Sequence, residues 1–76
     1  MIDHHQAQRL LNDEAFKEAV VEIRRDIADE WQRSRPDDAA GRENLFRQLQ
    51  AVDRLTAKLE SYVLNGRMAE RQNPRA

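Results

Sequence analysis

The residues of this sequence that could do chemistry are two adjacent histidines, a set of carboxylates and a set of basic side chains. His4 and His5 are the only imidazoles, and the sequence contains no cysteine. Adjacent residues on a helix point about 100° apart, so we expect this pair not to chelate one ion as an i, i+4 pair does. The sequence therefore predicts a solvated terminus here, with no metal site and no cofactor.

Carboxylates act as catalytic acids or bases only inside a cleft that shifts their pKa values. Ser34 and Ser61 have no base nearby in the sequence, and Asp53 either pairs with an arginine of a facing helix or is solvated. The most acidic stretch contains Glu18, Glu22, Asp26, Asp29 and Glu30. A hairpin of two helices forms no cleft that could enclose these carboxylates. We therefore expect no catalytic residue and no enzymatic activity.

Basic residues at spacings of seven and four share one face of a predicted helix. They are Arg47, Arg54 and Lys58, and the C-terminal stretch adds Arg67, Arg71 and Arg75. Such side chains can lie along phosphates. With 13 basic and 14 acidic residues the net charge is -1, so no overall field draws the chain onto nucleic acid or an acidic membrane. A solvated charged face is the favoured interpretation, and nucleic-acid binding by an oligomer is the alternative.

Two stripes of apolar residues must position these groups, because alternating steps of four and three put residues on one side of an α-helix. The first stripe is Phe16, Val20, Ile23, Ile27 and Trp31. The second is Leu45, Leu49, Val52, Thr56, Leu59 and Val63. Pro36 lies between the stripes, and Asp37 or Asp38 can cap the helix that follows. The pattern predicts an all-α antiparallel hairpin with helices over about 13–33 and 38–65.

A short helix over about 4–11 precedes the hairpin. With Asn12 as its N-cap, the second helix would place Leu11 and Phe16 at the spacing of a hydrophobic staple. One continuous helix over 4–33 is the alternative. The short helix could cover the overhang of the longer third helix. Asn65 and Gly66 are typical of a helix end, so we expect one helical domain over 1–66 and a flexible basic tail over 67–76.

Self-association is expected because 76 residues without a disulfide bury little surface. Trp31 can cover the end of a core or anchor another chain. Val21 and Ala28, which lie off the first stripe, are further candidates for the contact between copies. The residues expected at a protein interface are Phe16, Ile23, Ile27, Trp31, Leu45, Phe46, Leu49, Leu55 and Tyr62.

The sequence also resembles a group of short helical-hairpin proteins of tailed bacteriophages and prophages. The shared features are Leu-Leu-Asn-Asp (10–13) before Phe16, a tryptophan before Pro-Asp-Asp (36–38), Arg-Glu-x-Leu-Phe-x-Gln-Leu (42–49) and Gly-Arg-Met-Ala (66–69). The resemblance implies a phage origin and a place among head and packaging genes. It carries over no catalytic residue.

These observations predict a small phage structural or assembly protein that acts by contacts with itself and with other phage or host proteins. One alternative is an oligomeric nucleic-acid-binding protein of DNA packaging or regulation. Another is an inhibitor of a host protein, in which the acidic face of the second helix would occupy a basic groove of that protein. The start of the chain has no apolar run, so we expect no secretion signal, no membrane partner, and a location in the host cytoplasm or the virion.

Overall fold

The computed structural model describes residues 2–72, which form three α-helices and no strand. Helix α1 spans His4–Asn12, α2 spans Glu14–Arg33 and α3 spans Ala39–Gln72. The predicted all-α class is confirmed. Within the described residues, no helix is both long enough and apolar enough to cross a lipid bilayer.

Helix α1 begins with a capping box. The Asp3 carboxylate accepts a hydrogen bond from the Gln6 backbone N–H at 2.9 Å, and the Gln6 side chain accepts one from the Asp3 N–H at 3.1 Å. The bond from Gln6 favours the charged carboxylate and is the main reason why the pKa of Asp3 lies below its ordinary value. The backbone N–H groups of Asp3 and Gln6, which would otherwise have only water as a hydrogen-bond partner, are therefore both satisfied by side chains.

The other two helices also begin at an aspartate. Asp13, rather than Asn12, caps α2 and accepts a hydrogen bond from the Phe16 backbone N–H at 2.9 Å. Asp38 accepts one from the Gly41 N–H at 2.9 Å at the start of α3. Because Asp13 has extended backbone angles, α1 and α2 are separate helices rather than one continuous helix.

The most enclosed core lies where α1 packs against the second half of α3. Ala7 is completely buried there, and its neighbours Leu59 and Val63 are buried as well. Leu11, Phe16 and Tyr62 are partly buried around these three residues. Because alanine has a small side chain, the two helices can approach each other closely at this point.

The prediction that the third helix ends at Asn65 is wrong, since α3 continues through Gly66 to Gln72. No described residue has a positive φ, so Gly66 does not adopt a left-handed helix cap. A Cβ atom at this position would lie closer than 3.0 Å to the His4 side chain. The glycine therefore allows α1 to approach α3. Residues 67–72 are helical instead of forming a tail, and residues 73–76, with Arg75, lie outside the described residues.

Helices α2 and α3 contact each other less extensively than α1 and α3 do. Ile27 is the buried residue of α2, and Leu45 is buried on α3. Arg42 lies over the Trp31 ring, with its guanidinium carbon 4.9 Å from the ring centroid, and its Nε donates to Ser34 Oγ at 2.9 Å. These contacts fix the two helices at the turn that joins them.

The molecule is elongated and exposes more surface than its mass requires. Its radius of gyration is 17.0 Å, whereas a compact chain of this length has about 11 Å. Its accessible surface is 6376 Å², whereas a compact monomer of 8.9 kDa exposes about 4,800 Å². The surplus of about 1,500 Å² follows from the elongated shape. Large apolar side chains that remain exposed on this surface include Val21, Trp31, Phe46 and Leu55.

Candidate functional site

One side of the α2 and α3 pair carries a stripe of residues from each helix, again at alternating steps of four and three. The α2 stripe is Lys17, Val21, Arg24, Ala28 and Trp31. The α3 stripe is Phe46, Leu49, Asp53, Thr56 and Glu60. We call these ten residues the groove face, because two apolar grooves open between the stripes.

The first groove lies near the turn and encloses about 310 Å³. Ile27 and Leu45, both buried, lie between the two helices, while Trp31 and Phe46 stay 42% and 54% exposed. The residues that line it are Arg24, Ile27, Ala28, Trp31, Gln32, Leu45, Phe46 and Leu49. Two large aromatic side chains beside an open apolar groove are typical of an anchor site for another chain.

The second groove lies nearer to α1 and has charged residues at its two edges. Its residues are Leu11, Phe16, Lys17, Val20, Val21, Thr56 and Glu60. Val21 is 53% exposed, whereas Phe16 is partly covered by the core that α1 closes. The basic Lys17 belongs to α2 and the acidic Glu60 to α3. The two helices thus present opposite charges on the same side of the molecule.

An ion pair separates the two grooves. An Arg24 guanidinium nitrogen lies 2.7 Å from Asp53 Oδ1, and the two side chains are 46% and 54% exposed. A half-exposed pair contributes little to folding stability, at most about 1 kcal/mol. Its position matters more, because a charge inside an apolar surface penalises every binding register that leaves it without a partner.

Six of the nine predicted interface residues lie at the grooves. Five line the first groove, namely Ile27, Trp31, Leu45, Phe46 and Leu49, and Phe16 lines the second. Tyr62 instead packs against the core under α1, with Lys58 Nζ 5.3 Å from its ring centroid. Ile23 and Leu55 are 45% and 51% exposed and line neither groove.

The predicted nucleic-acid residues do not form one surface. Arg47 is bound to Glu43 at 2.8 Å, and Arg67 donates to Gln8 Oε1 at 3.1 Å. Arg54 and Lys58 line a shallow depression on α3 together with Ala51 and Leu55. Nine residues, about two and a half turns, separate Lys58 from Arg67, so the two point to opposite sides of α3. Arg71, one turn later, lies on the side of Arg67.

A cluster of side chains that the sequence does not predict lies where α1 meets the end of α3. His4 Nε2 lies 2.7 Å from Glu70 Oε1, His5 Nε2 lies 3.8 Å from the same oxygen, and the two imidazole centroids are 4.0 Å apart. The histidines considered alone predict no cluster, and Glu70 fell within the predicted tail. Glu70 lies beside the histidines because α3 continues through Gly66, and no local signal in the sequence predicts that continuation.

Comparison of the chain with protein-family models, with curated proteins and with solved structures gives no match. The function of the chain is therefore inferred from the geometry of the groove face and of the histidine cluster.

Proposed function

We propose that this chain is a small assembly protein that acts by self-association, with the groove face as the contact between copies. The surplus exposed surface carries the proposal. Two copies together expose about 3,000 Å² more than two compact monomers, which is more than a standard interface of about 1,200–2,000 Å² removes in total but within the range of about 2,000–5,000 Å² of obligate homodimers. A two-fold contact of that larger class can therefore remove most of the excess of both copies.

In this proposal, α2 and α3 form an antiparallel hairpin, and two hairpins pack face to face as a four-helix bundle. Trp31 and Phe46 of each copy would fill the first groove of the other. Both are large, apolar and about half exposed, and both lie beside the buried residues Ile27 and Leu45 of the groove. Aromatic residues in such positions dominate the binding energy of most interfaces.

The charges of the groove face support one arrangement of the two copies. The basic residues Lys17 and Arg24 lie on the α2 stripe, and the acidic residues Asp53 and Glu60 lie on the α3 stripe. A two-fold axis along the length of the molecule lays α2 of one copy over α3 of the other. Each basic residue then faces an acidic residue of the second copy, whereas α2 over α2 would oppose like charges.

The biological setting in this proposal is the assembly of a tailed-bacteriophage particle. The resemblance of residues 10–69 to short phage proteins supports that setting. Further partners would be phage or host proteins that recognise the assembled bundle. Because no groove face would remain open in a closed dimer, such partners would contact its outer helix faces.

A pair of matched substitutions tests the proposal. Phe46 and Leu55 are 54% and 51% exposed on the same helix, but only Phe46 lines a groove. We expect Phe46→Glu to give a monomer in sedimentation velocity, because it places an unpaired charge in the contact. Leu55→Glu should leave the assembly intact. Equal behaviour of the two variants would remove the groove face as the contact.

A second candidate function, nucleic-acid binding, has one observation in its favour. Arg54 and Lys58 lie together on the side of α3 away from the groove face, so self-association would leave them accessible and double their number. We expect a salt-dependent gel shift with duplex DNA if this function holds, and its loss in the Arg54→Ala, Lys58→Ala double variant. Absence of retardation at low salt would exclude it.

A further inference from the structure

We propose that His4, His5 and Glu70 form a binding site for one divalent cation of the zinc class, which fastens α1 to the end of α3. Among residues 2–72, one ligand atom from each of these three side chains lies within 4.8 Å of the other two. Two imidazole nitrogens and one carboxylate oxygen are ligands that zinc commonly uses, with water in the remaining position. The site is separate from the groove face and does not depend on self-association.

The distances suit a small ion. Zinc binds nitrogen and oxygen at about 2.0–2.1 Å, so neighbouring ligand atoms of a tetrahedral site lie about 3.3 Å apart. Glu70 Oε1 lies 2.7 Å from His4 Nε2 and 3.8 Å from His5 Nε2, one shorter and one longer than this separation. Small rotations of the His5 and Glu70 side chains, which are 76% and 56% exposed, can equalise the two distances.

The His4 nitrogen provides an independent observation. Its Nε2 atom is shielded from solvent and has no aligned hydrogen-bond partner, although Glu70 Oε1 is close. A buried polar atom without a partner is costly and uncommon in native proteins. A cation between His4 and Glu70 would accept the nitrogen lone pair and neutralise the carboxylate.

The fold holds the least mobile ligand in place. The capping box of Asp3 and Gln6 fixes the first turn of α1, and the His4 ring rests on Gly66, where a side chain would collide with it. Glu70 follows Gly66 by one helical turn on the same face of α3. The His5 ring lies beside that of His4, with the two ring centroids 4.0 Å apart. One fixed and two adjustable ligands can close around an ion without backbone movement.

Bound metal would act as a staple at this end of the molecule. An ion that binds the folded chain and not the unfolded chain raises stability in proportion to the logarithm of its concentration. At a hundredfold excess over the dissociation constant, the melting temperature of a domain of this size should rise by roughly 10 °C or more.

The test uses the full chain freed of metal with a chelator, then titrated with Zn²⁺ and, separately, with Co²⁺. We expect a rise in Tm by circular dichroism, one metal bound per chain, and visible absorption from bound Co²⁺. His5→Ala and Glu70→Gln should each weaken binding at least tenfold. Both side chains are largely exposed, so these variants should fold. Glu43→Gln, the same change near the start of α3 at a residue that lines neither groove and lies outside the histidine cluster, should bind as the unchanged chain does.

Three outcomes would overturn the proposal. The first is a Tm that does not change at high Zn²⁺ concentration. The second is binding in His5→Ala and Glu70→Gln that equals binding in Glu43→Gln, which would mean an adventitious surface site. The third is one metal per two chains, which would mean that the ion bridges copies instead of fastening α1 to α3.

Discussion

The two ends of this molecule differ in how they bury apolar surface. At the end we call the closed end, α1 covers α3, and Ala7, Leu59 and Val63 are 0%, 3% and 9% exposed. At the turn end, α2 alone faces α3. There Trp31 and Phe46 remain about half exposed beside a groove. The difference follows from α1, which covers α3 at the closed end and does not reach the turn end.

Two packed helices cannot shield both of their sides from water, because each helix contacts its partner along one narrow stripe. Helix α2 has 20 residues and one buried side chain, Ile27. Helix α1 has nine residues and also buries one, Ala7, yet it completes a core with two residues of α3. The core of the closed end is therefore complete within one copy, whereas in our proposal a second copy completes the core at the turn end.

The largest expected effect comes from the same substitution made at each end. In the Phe46→Glu background, which we expect to be monomeric, Leu59→Ala should lower the free energy of unfolding by about 3–5 kcal/mol. Leu45→Ala should cost about 2 kcal/mol, since water can enter the adjacent groove and the residue is less enclosed. Urea unfolding measures both values. Equal losses would mean that the two ends are equally closed.

The next effect concerns the close approach at the closed end. Gly66→Ala should gain about 1 kcal/mol of helix propensity, but the new Cβ collides with His4, and overpacking costs about 1–3 kcal/mol. We expect a net loss, with amide exchange accelerated in α1 and unchanged near Trp31. Adding His4→Gly should restore the space and recover part of the loss. A stabilised Gly66→Ala chain would contradict the observed contact.

A charge exchange at the second groove tests how the two copies lie on each other. Lys17→Glu or Glu60→Lys alone should weaken self-association by roughly three- to tenfold in the dissociation constant, because like charges would then face each other across the contact. The double exchange should recover most of the affinity at low salt. Sedimentation equilibrium measures all four chains. Without recovery in the double variant, α2 does not lie over α3 of the second copy.

The smallest effect is expected at the ion pair between the grooves. Asp53→Asn should change the unfolding free energy of the monomer by less than about 1 kcal/mol, since the pair with Arg24 is half exposed. Replacing both residues with leucine should tighten association and broaden the range of masses, because the polar break that restricts the register is gone. If the double leucine variant has the same mass distribution as the unchanged chain, the Arg24–Asp53 pair does not restrict the register in which the two copies bind.

The sequence predicts the helices because their signals are local. Apolar spacing, the break at Asn12 and the aspartates at 37 and 38 place the starts of α2 and α3 to within one residue, although the cap of α2 is Asp13 and not the predicted Asn12. The end of α3 could not be predicted in this way. Gly66 after an asparagine is typical of a helix cap, and the contact that gives it another role comes from His4, far away in the sequence. The sequence likewise leaves two possibilities for Asp53, an ion pair or a solvated carboxylate, because its partner Arg24 lies on another helix.

The mass of the unchanged chain in solution tests the central claim most directly. Light scattering coupled to size exclusion, run from low micromolar to near-millimolar concentration, should give about twice the 8.9 kDa of one chain, with Phe46→Glu at the single-chain mass. A mass of 8.9 kDa at every concentration would contradict the claim that the groove face is completed by a second copy.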